Sequence, residues 1–168
     1  MNKHFSAGIL LYKVGPHDIF MLLGKDTKYN LWSDFGGKSE YIDQGMSVNT
    51  ASREFFEESM GIISDECEIR HHLRRAVRLD CVSYRNKKYY MYLLDALLLP
   101  CGDLIQLFRF QKDMLSRIES DGMVKFKEKQ DIEWFSLRYV VENPNVFREV
   151  FYNSVLNHLD EIRRCVIV

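Results

Sequence analysis

Gly36-Gly37-Lys38-Ser39-Glu40, then a loop, then Arg53-Glu54-Phe55-Phe56-Glu57-Glu58: this stretch decides how the chain is read. On a helix Glu54, Glu57 and Glu58 stand at i, i+3 and i+4, so three carboxylates share one face. Like charges at those spacings repel, which destabilises the helix unless a cation sits among them. A hard divalent ion, Mg²⁺ or Mn²⁺, meets that need because it takes carboxylate oxygens and water as ligands. Such sites commonly share the ion with substrate phosphates, which points to phosphoryl chemistry. A solvated acidic helix face accounts for three glutamates on their own; the glycines upstream weigh against it. Gly-Gly permits a backbone conformation closed to other residues and brings carbonyls or amides close to an ion or a phosphate. Arg53, directly before Glu54, has a rigid donor fork suited to bracing the loop.

Outward from this stretch, the pattern predicts a helix from Ser47, its N-cap, to Met60, with Gly61 as the C-cap. Upstream, Phe5 to Val14 and Ile19 to Gly24 read as strands joined by a turn at Gly15-Pro16-His17-Asp18, and Leu31 to Phe35 as a short strand leading into the glycines. Downstream, Glu68 to Ser83 and Lys87 to Leu99 read as a hairpin around Tyr84-Arg85-Asn86. Asp103 to Ile118 is amphipathic enough for a helix, and Asp131 to Phe135 reads as a strand. Ser136 caps a brief helix, Leu137 to Val141. Asn143-Pro144 opens a last helix running to about Arg164. Mixed strands with separated helices suggest an α/β fold, a mixed β-sheet covered on its faces.

The 168 residues suit a single domain spanning the whole chain. With 46% hydrophobic and 28% charged residues, a filled core under a polar surface is expected. A net charge of −1 gives no global bias toward nucleic acid or membrane, so anion binding must come from a local cluster. The apolar stretch Ala7 to Tyr12 is too short for a signal-peptide core, and Tyr89 to Leu99, broken by Asp95, falls short of a membrane span. Four cysteines lie far apart without a C-x-x-C pair, which reads as reduced thiols in a cytoplasmic protein. The ending Cys165-Val166-Ile167-Val168 has the C-a-a-X form, but valine is a poor last residue for prenylation, and an apolar helix end is the plainer reading.

The central stretch resembles the Nudix box, G-x5-E-x7-R-E-U-x-E-E-x-G-U with U aliphatic. Gly37, Arg53-Glu54 and Glu57-Glu58 fit its framework, and Phe55 stands at the U position. A second match lies downstream: Lys127-Glu128-Lys129-Gln130-Asp131-Ile132-Glu133-Trp134-Phe135-Ser136-Leu137 is similar to the K-E-x-Q-x-x-E-W-x-S-L stretch of MutT-like Nudix proteins. The resemblance spans the chain and implies a Nudix-type α/β/α sandwich. It assigns metal binding to the carbonyl of Gly37 and to Glu54, Glu57 and Glu58, with Glu128 as a further ligand or as general base. The box departs from the pattern by two extra residues between Gly37 and Arg53 and one between Glu58 and Gly61. Counting back eight from Arg53 reaches Gly45, where the family has a glutamate that bonds the arginine; Asp43 and Glu40 are the acidic residues of the longer loop that could replace it. Phe35 stands where proline is usual, the mark of a divergent branch.

The expected reaction is attack of water on one phosphorus of a diphosphate linkage in a nucleoside diphosphate derivative, a Mg²⁺- or Mn²⁺-dependent pyrophosphatase reaction. Glu57, Glu58 or Glu128 would accept the proton, and Arg53 would hold the loop. Arg74, Arg75, Arg78 and Lys38 are candidates for substrate binding. The basic run Arg70 to Arg78, with Lys87, Lys88 and interleaved tyrosines, also suits RNA, as in decapping or 5′-diphosphate removal, or a diphosphoinositol polyphosphate. A solvated strand face with core-facing tyrosines is the plainer account of that run. A third class is a catalytically weak Nudix-fold binding module. Many relatives form homodimers.

Overall fold

Ser6–Val14 (β1) is buried on both sides over most of its length, which makes it a central strand. Ala7, Ile9 and Leu11 join one hydrophobic cluster and Leu10 joins another, so alternate side chains enter separate cores. The computed structural model describes residues 4–100, 102–118 and 120–166, without the side chains of Arg85, Cys165 and Val166. The C-a-a-X reading of the last four residues therefore lies outside what is described.

The chain runs β1, β2 (Ile19–Asp26), β3 (Trp32–Ser33), β4 (Phe35–Lys38), α1 (Ser47–Glu58), α2 (Glu66–Leu73), β5 (Val77–Ser83), β6 (Lys87–Asp95), α3 (Leu104–Ser116), β7 (Lys129–Ser136), α4 (Leu137–Glu142), α5 (Glu149–Asn157) and α6 (Leu159–Val166). The strands form one seven-stranded mixed sheet with the order β3-β2-β1-β6-β5, in which β4 also pairs with β1 and β7 with β2. β1 lies parallel to β6, with Ser6 opposite Tyr89, while its pairings with β2 and β4 are antiparallel. One face carries Ile9, Leu11 and Phe35 against Ala51 and Phe55 of α1, Ile69 of α2 and Phe108 of α3. The other carries Leu10, Met21 and Met91 against Phe151 and Val155 of α5 and Ile162 of α6. Phe35 and Phe55 meet edge to face at 5.2 Å, and both are fully buried; burying such a ring contributes about 1.5–3 kcal/mol. This is the expected α/β/α sandwich.

Four sequence expectations are corrected. Glu68 to Ser83 is not one strand: Glu66–Leu73 is a helix, capped by Asp65, whose carboxylate accepts the Glu68 N–H at 3.0 Å, and β5 begins only at Val77. The buried pair Ile69 and Leu73 has helical spacing, and tertiary burial overrides the β-branched composition. The last helix is not continuous: a short 3-10 turn at Pro144–Val146 and extended Phe147 precede α5, and His158 breaks α5 from α6. Ser47 is the first helical residue rather than the N-cap, which is Met46; the Ser47 hydroxyl pairs with that of Tyr92 at 2.8 Å. At the other end the C-cap is Ser59 rather than Gly61, and Met60 and Gly61 beyond it are both left-handed, at φ 56° and 66°.

Among the described residues no helix is long and apolar enough to cross a membrane. Cys67 is an exposed free thiol and Cys81 a buried one.

Candidate active site

The site forms where α1 crosses β4. Gly36 and Gly37 are required for space rather than for unusual dihedrals, since neither has positive φ. A Cβ on Gly37 would fall 2.5 Å from the Glu54 carboxylate, so that carboxylate lies directly on the Gly37 backbone. The Gly36 N–H donates to Glu58 Oε2 at 2.8 Å.

Arg53 organises the loop. Its Nε donates to Asp43 Oδ1 at 2.9 Å and its Nη2 to Asp43 Oδ2 at 3.0 Å and to the Lys38 carbonyl at 3.0 Å. Its Nη1 reaches Glu54 at 3.0 Å and Glu57 at 3.1 Å. Asp43 also accepts the Thr50 hydroxyl at 2.9 Å and the Glu40 N–H at 2.8 Å. Asp43 therefore fills the place of the glutamate that the sequence lacks at Gly45. The longer loop makes this possible by folding tightly: Tyr41–Asp43 is a 3-10 turn, and Gln44 and Gly45 follow it in the left-handed region, at φ 53° and 71°. Glu40 lies farther from Arg53, at 3.7 Å, and pairs with Lys125 at 3.1 Å; Lys125 also reaches Glu57 at 3.4 Å.

The fourth carboxylate arrives from the sheet. Glu128 directly precedes β7, which runs beside β2, and its carbonyl accepts the Thr27 N–H at 2.9 Å. Its charge is felt by both Glu54 and Glu58. Next to it Lys129 is buried, contacting Ser33 Oγ at 2.9 Å, the Asp34 carbonyl at 3.2 Å and Glu58 Oε1 at 3.4 Å.

Crowding of negative charge shows in proton affinity. Burial pushes Glu54 up to about 7, with the Arg53 guanidinium opposing and Glu57 and Glu128 reinforcing. Burial pushes Glu58 up to about 8, with Lys129 opposing and Glu54 and Glu128 reinforcing. Burial would raise Asp43 too, but its bonds from Arg53, the Glu40 N–H and Thr50 outweigh that and hold it below the usual carboxylate range. Carboxylate oxygens are the donors a hard divalent ion takes, and two of them, from Glu54 and Glu58, lie on a backbone with no Cβ in the way, while Arg53, Lys125 and Lys129 supply the positive charge against the cluster. Among the described residues no three carboxylates stand close enough together to grip an ion without adjusting.

The candidate substrate residues lie elsewhere. Lys38 ends β4 and is exposed beside the site. Arg74 and Arg75 follow α2, and Arg78 lies on β5, the sheet edge remote from β7. Arg78 is chelated by Asp80 and stacks over the Tyr90 ring at 4.7 Å, lining a groove of about 480 Å³ with Lys87 and Lys88. Tyr89 and Tyr92 are buried. The basic run is thus divided between a helix end and a strand. Sequence reasoning gave no role to Lys125 or Lys129, and nothing in their spacing sets either apart from neighbouring lysines.

Solved structures share this architecture across nearly the whole chain. RenU, a Nudix hydrolase from M. smegmatis, matches 99% of this chain and 90% of its own at 13% identity and a TM-score of 0.52. An Ap4A hydrolase from C. elegans matches 95% of this chain and 98% of its own at 15% identity, with a TM-score of 0.52. The NUDIX domain of NrtR from Shewanella oneidensis, solved with ADP ribose, matches 96% of this chain and 86% of its own at 14% identity, with a TM-score of 0.50. No protein-family model and no curated protein matches the sequence. At these identities the agreement is one of fold, and the fold is that of the Nudix hydrolases.

Proposed function

We propose that the chain is a divalent-metal-dependent hydrolase that cleaves the diphosphate linkage of a nucleoside diphosphate derivative. The observation that carries this reading is the placing of Glu54 and Glu58 on the Gly36-Gly37 backbone, with Glu57 beside Glu54 on Arg53, the charge of Glu128 reaching Glu54 and Glu58, and Arg53 held in place by Asp43. The structural neighbours support the substrate class: one is named for Ap4A hydrolysis and another was solved with ADP ribose.

The Gly37 carbonyl, Glu54, Glu57, Glu58 and Glu128 would hold Mg²⁺ or Mn²⁺. When bound, the ion would offset phosphate charge and make water a better nucleophile. Arg53 keeps Glu54 and Glu57 on the same side of α1 and ties them to the loop through Asp43. Glu57, Glu58 or Glu128 would accept the proton lost by the attacking water. Lys38, exposed at the end of β4, is the candidate substrate residue nearest this centre.

A phosphate-release screen with Mg²⁺ and Mn²⁺ tests the reading. It covers ADP-ribose, NADH, dinucleoside polyphosphates, nucleoside triphosphates, diphosphoinositol phosphates and capped RNA, with Glu57→Gln as control. Turnover that disappears in the variant supports the proposal and names the substrate. A folded protein silent on the whole panel points instead to a binding module.

A further inference from the structure

The groove of about 480 Å³ has Gly45 and Ser47, at the start of α1, on one side and Arg78, Lys87, Lys88 and Tyr90 of the β5–β6 hairpin on the other. None of its lining residues is acidic, and none belongs to the carboxylate site. Lys87 and Lys88 are exposed, and among the described residues neither ammonium has an ion-pair partner. In a chain of net charge −1 they form a local patch of unanswered positive charge. The helix adds to it. α1 has no side-chain cap: Met46 stands at the cap position, and the hydroxyl of Ser47 is taken by Tyr92. The opening N–H groups of α1 and the positive end of its dipole therefore meet the groove without a side-chain acceptor, an arrangement that attracts phosphate. At Gly45 a Cβ would meet nothing within 4 Å, so the approach is open. Arg78 supplies a planar surface. Asp80 accepts from its Nε at 2.8 Å and takes up part of its charge, while the guanidinium lies over the Tyr90 ring at 4.7 Å with the side chain still 45% exposed. Phe5 braces Tyr90 in turn, edge to face at 5.6 Å. A nucleobase can stack on a cation fixed in this way.

We propose that this groove is a nucleotide site separate from the carboxylate cluster, in which Lys87, Lys88 and the start of α1 hold a polyphosphate group and the Arg78–Tyr90 stack receives the base. It uses none of the residues that carry the hydrolase reading and stands or falls apart from it. The volume lies within the range of small-molecule sites. Arg74 and Arg75 do not line the groove, so the patch has the extent of one nucleotide rather than of a track for a strand. The groove also borders the loop that positions Arg53. The Phe5 carbonyl accepts the Ser39 N–H at 2.9 Å, Gly45 and Ser47 close the other end of the loop, and Asp43 lies between. In the sheet Tyr90 stands opposite Ala7 and Ala7 opposite Gly37, so two strand spacings, about 10 Å, separate the groove from the Gly37 backbone. A polyphosphate there is either the far end of a substrate or part of a second nucleotide, and the chemistry of recognition is the same.

The test is binding of ATP and of inorganic tripolyphosphate to the full chain in the presence of EDTA, read by calorimetry. Saturable binding of both is expected, with ATP the tighter. Lys87→Ala/Lys88→Ala alters only exposed side chains and should weaken both by about tenfold. Lys28→Ala/Arg138→Ala removes the same charge elsewhere on the surface and should leave both within about twofold of wild type. Arg78→Ala should remove most of the advantage of ATP over tripolyphosphate. Inhibition of dinucleoside tetraphosphate cleavage in excess Mg²⁺ then identifies the source. Tripolyphosphate competes if the groove holds the far end of the substrate and changes kcat if it holds a second nucleotide; either effect should weaken in the double lysine variant. The proposal is overturned if neither probe binds saturably, if the double lysine variant binds as well as wild type, or if a short single-stranded RNA binds more tightly than ATP. A chain that binds ATP in this way but hydrolyses nothing keeps the proposal and loses the hydrolase reading.

Discussion

Asp43 and Arg53 are joined by two parallel hydrogen bonds, at 2.9 and 3.0 Å, with Asp43 2% exposed. The pair ties the loop after β4 to the middle of α1, in a geometry that only a guanidinium and a carboxylate share. Asp43→Ala would leave Arg53 buried without its main partner and is expected to cost about 3–5 kcal/mol. Urea unfolding measures the loss, and a change below about 1 kcal/mol would deny the pair its role.

The same pair predicts an acid dependence. Because Asp43 is held below its ordinary value of 3.8 in the folded chain, its stabilising effect is present above that value and is lost as pH falls through the folded value. Thermal midpoints measured from pH 5 down to pH 2 should fall more steeply in the wild-type chain than in Asp43→Asn.

Glu54 and Glu58 have the opposite sign. Their folded values, about 7 and about 8, lie above the ordinary 4.5. Stability from these groups is full below pH 4.5 and declines as pH rises through their folded values. An ion that needs Glu54 as carboxylate must displace its proton, so Mn²⁺ binding at pH 6.5 should release protons and tighten as pH rises. Calorimetry in two buffers of different ionisation enthalpy reads the release; equal heats in both would refute it.

Two glycines separate space from backbone strain. A methyl group at Gly37 collides with the Glu54 carboxylate, so Gly37→Ala should cost about 1–3 kcal/mol and also weaken Mn²⁺ binding. Gly45 has φ 71° and nothing within 4 Å of a Cβ, so Gly45→Ala should cost about 1–2 kcal/mol with metal affinity nearly unchanged. Paired thermal melts and Mn²⁺ titrations distinguish the two outcomes.

Asp65 caps α2 through the Glu68 N–H at 3.0 Å. Asp65→Ala is expected to cost about 1 kcal/mol, measured by urea unfolding. No loss would mean that α2 is held by packing of Ile69 and Leu73 alone.

Much of this was legible in the residues because the signals are local. The spacing of Glu54, Glu57 and Glu58 places them on a helix, and the alternation in β1 and β2 sets the strands. Asp65 three residues before Glu68 was an equally local sign of α2, obscured by the apolar and β-branched residues around it. Other features depend on contacts between distant segments. Asp43, rather than Glu40, bonds Arg53 because two consecutive left-handed residues turn the loop back, and Gln44 carries no sequence mark of that conformation. Lys129 looks like one more charge in a basic run until β7 pairs with β2 and Gly24 makes room for it. Met60 takes a backbone conformation usually left to glycine while its side chain is buried in the core.

β1, the strand that feeds both cores, waits for a partner encoded far downstream. Its parallel neighbour β6 begins at Lys87, and β2 is not flanked by β7 until Lys129 has been made. Contacts this distant in sequence oppose rapid folding, because a long loop must close before they stabilise anything. On the ribosome, the segment through α1 would emerge with the Arg53 knot complete but with two inner strand edges open. Such edges invite pairing with other chains. The interval before β6 and β7 emerge is therefore when this chain is most exposed to aggregation, and when a chaperone would have most to protect.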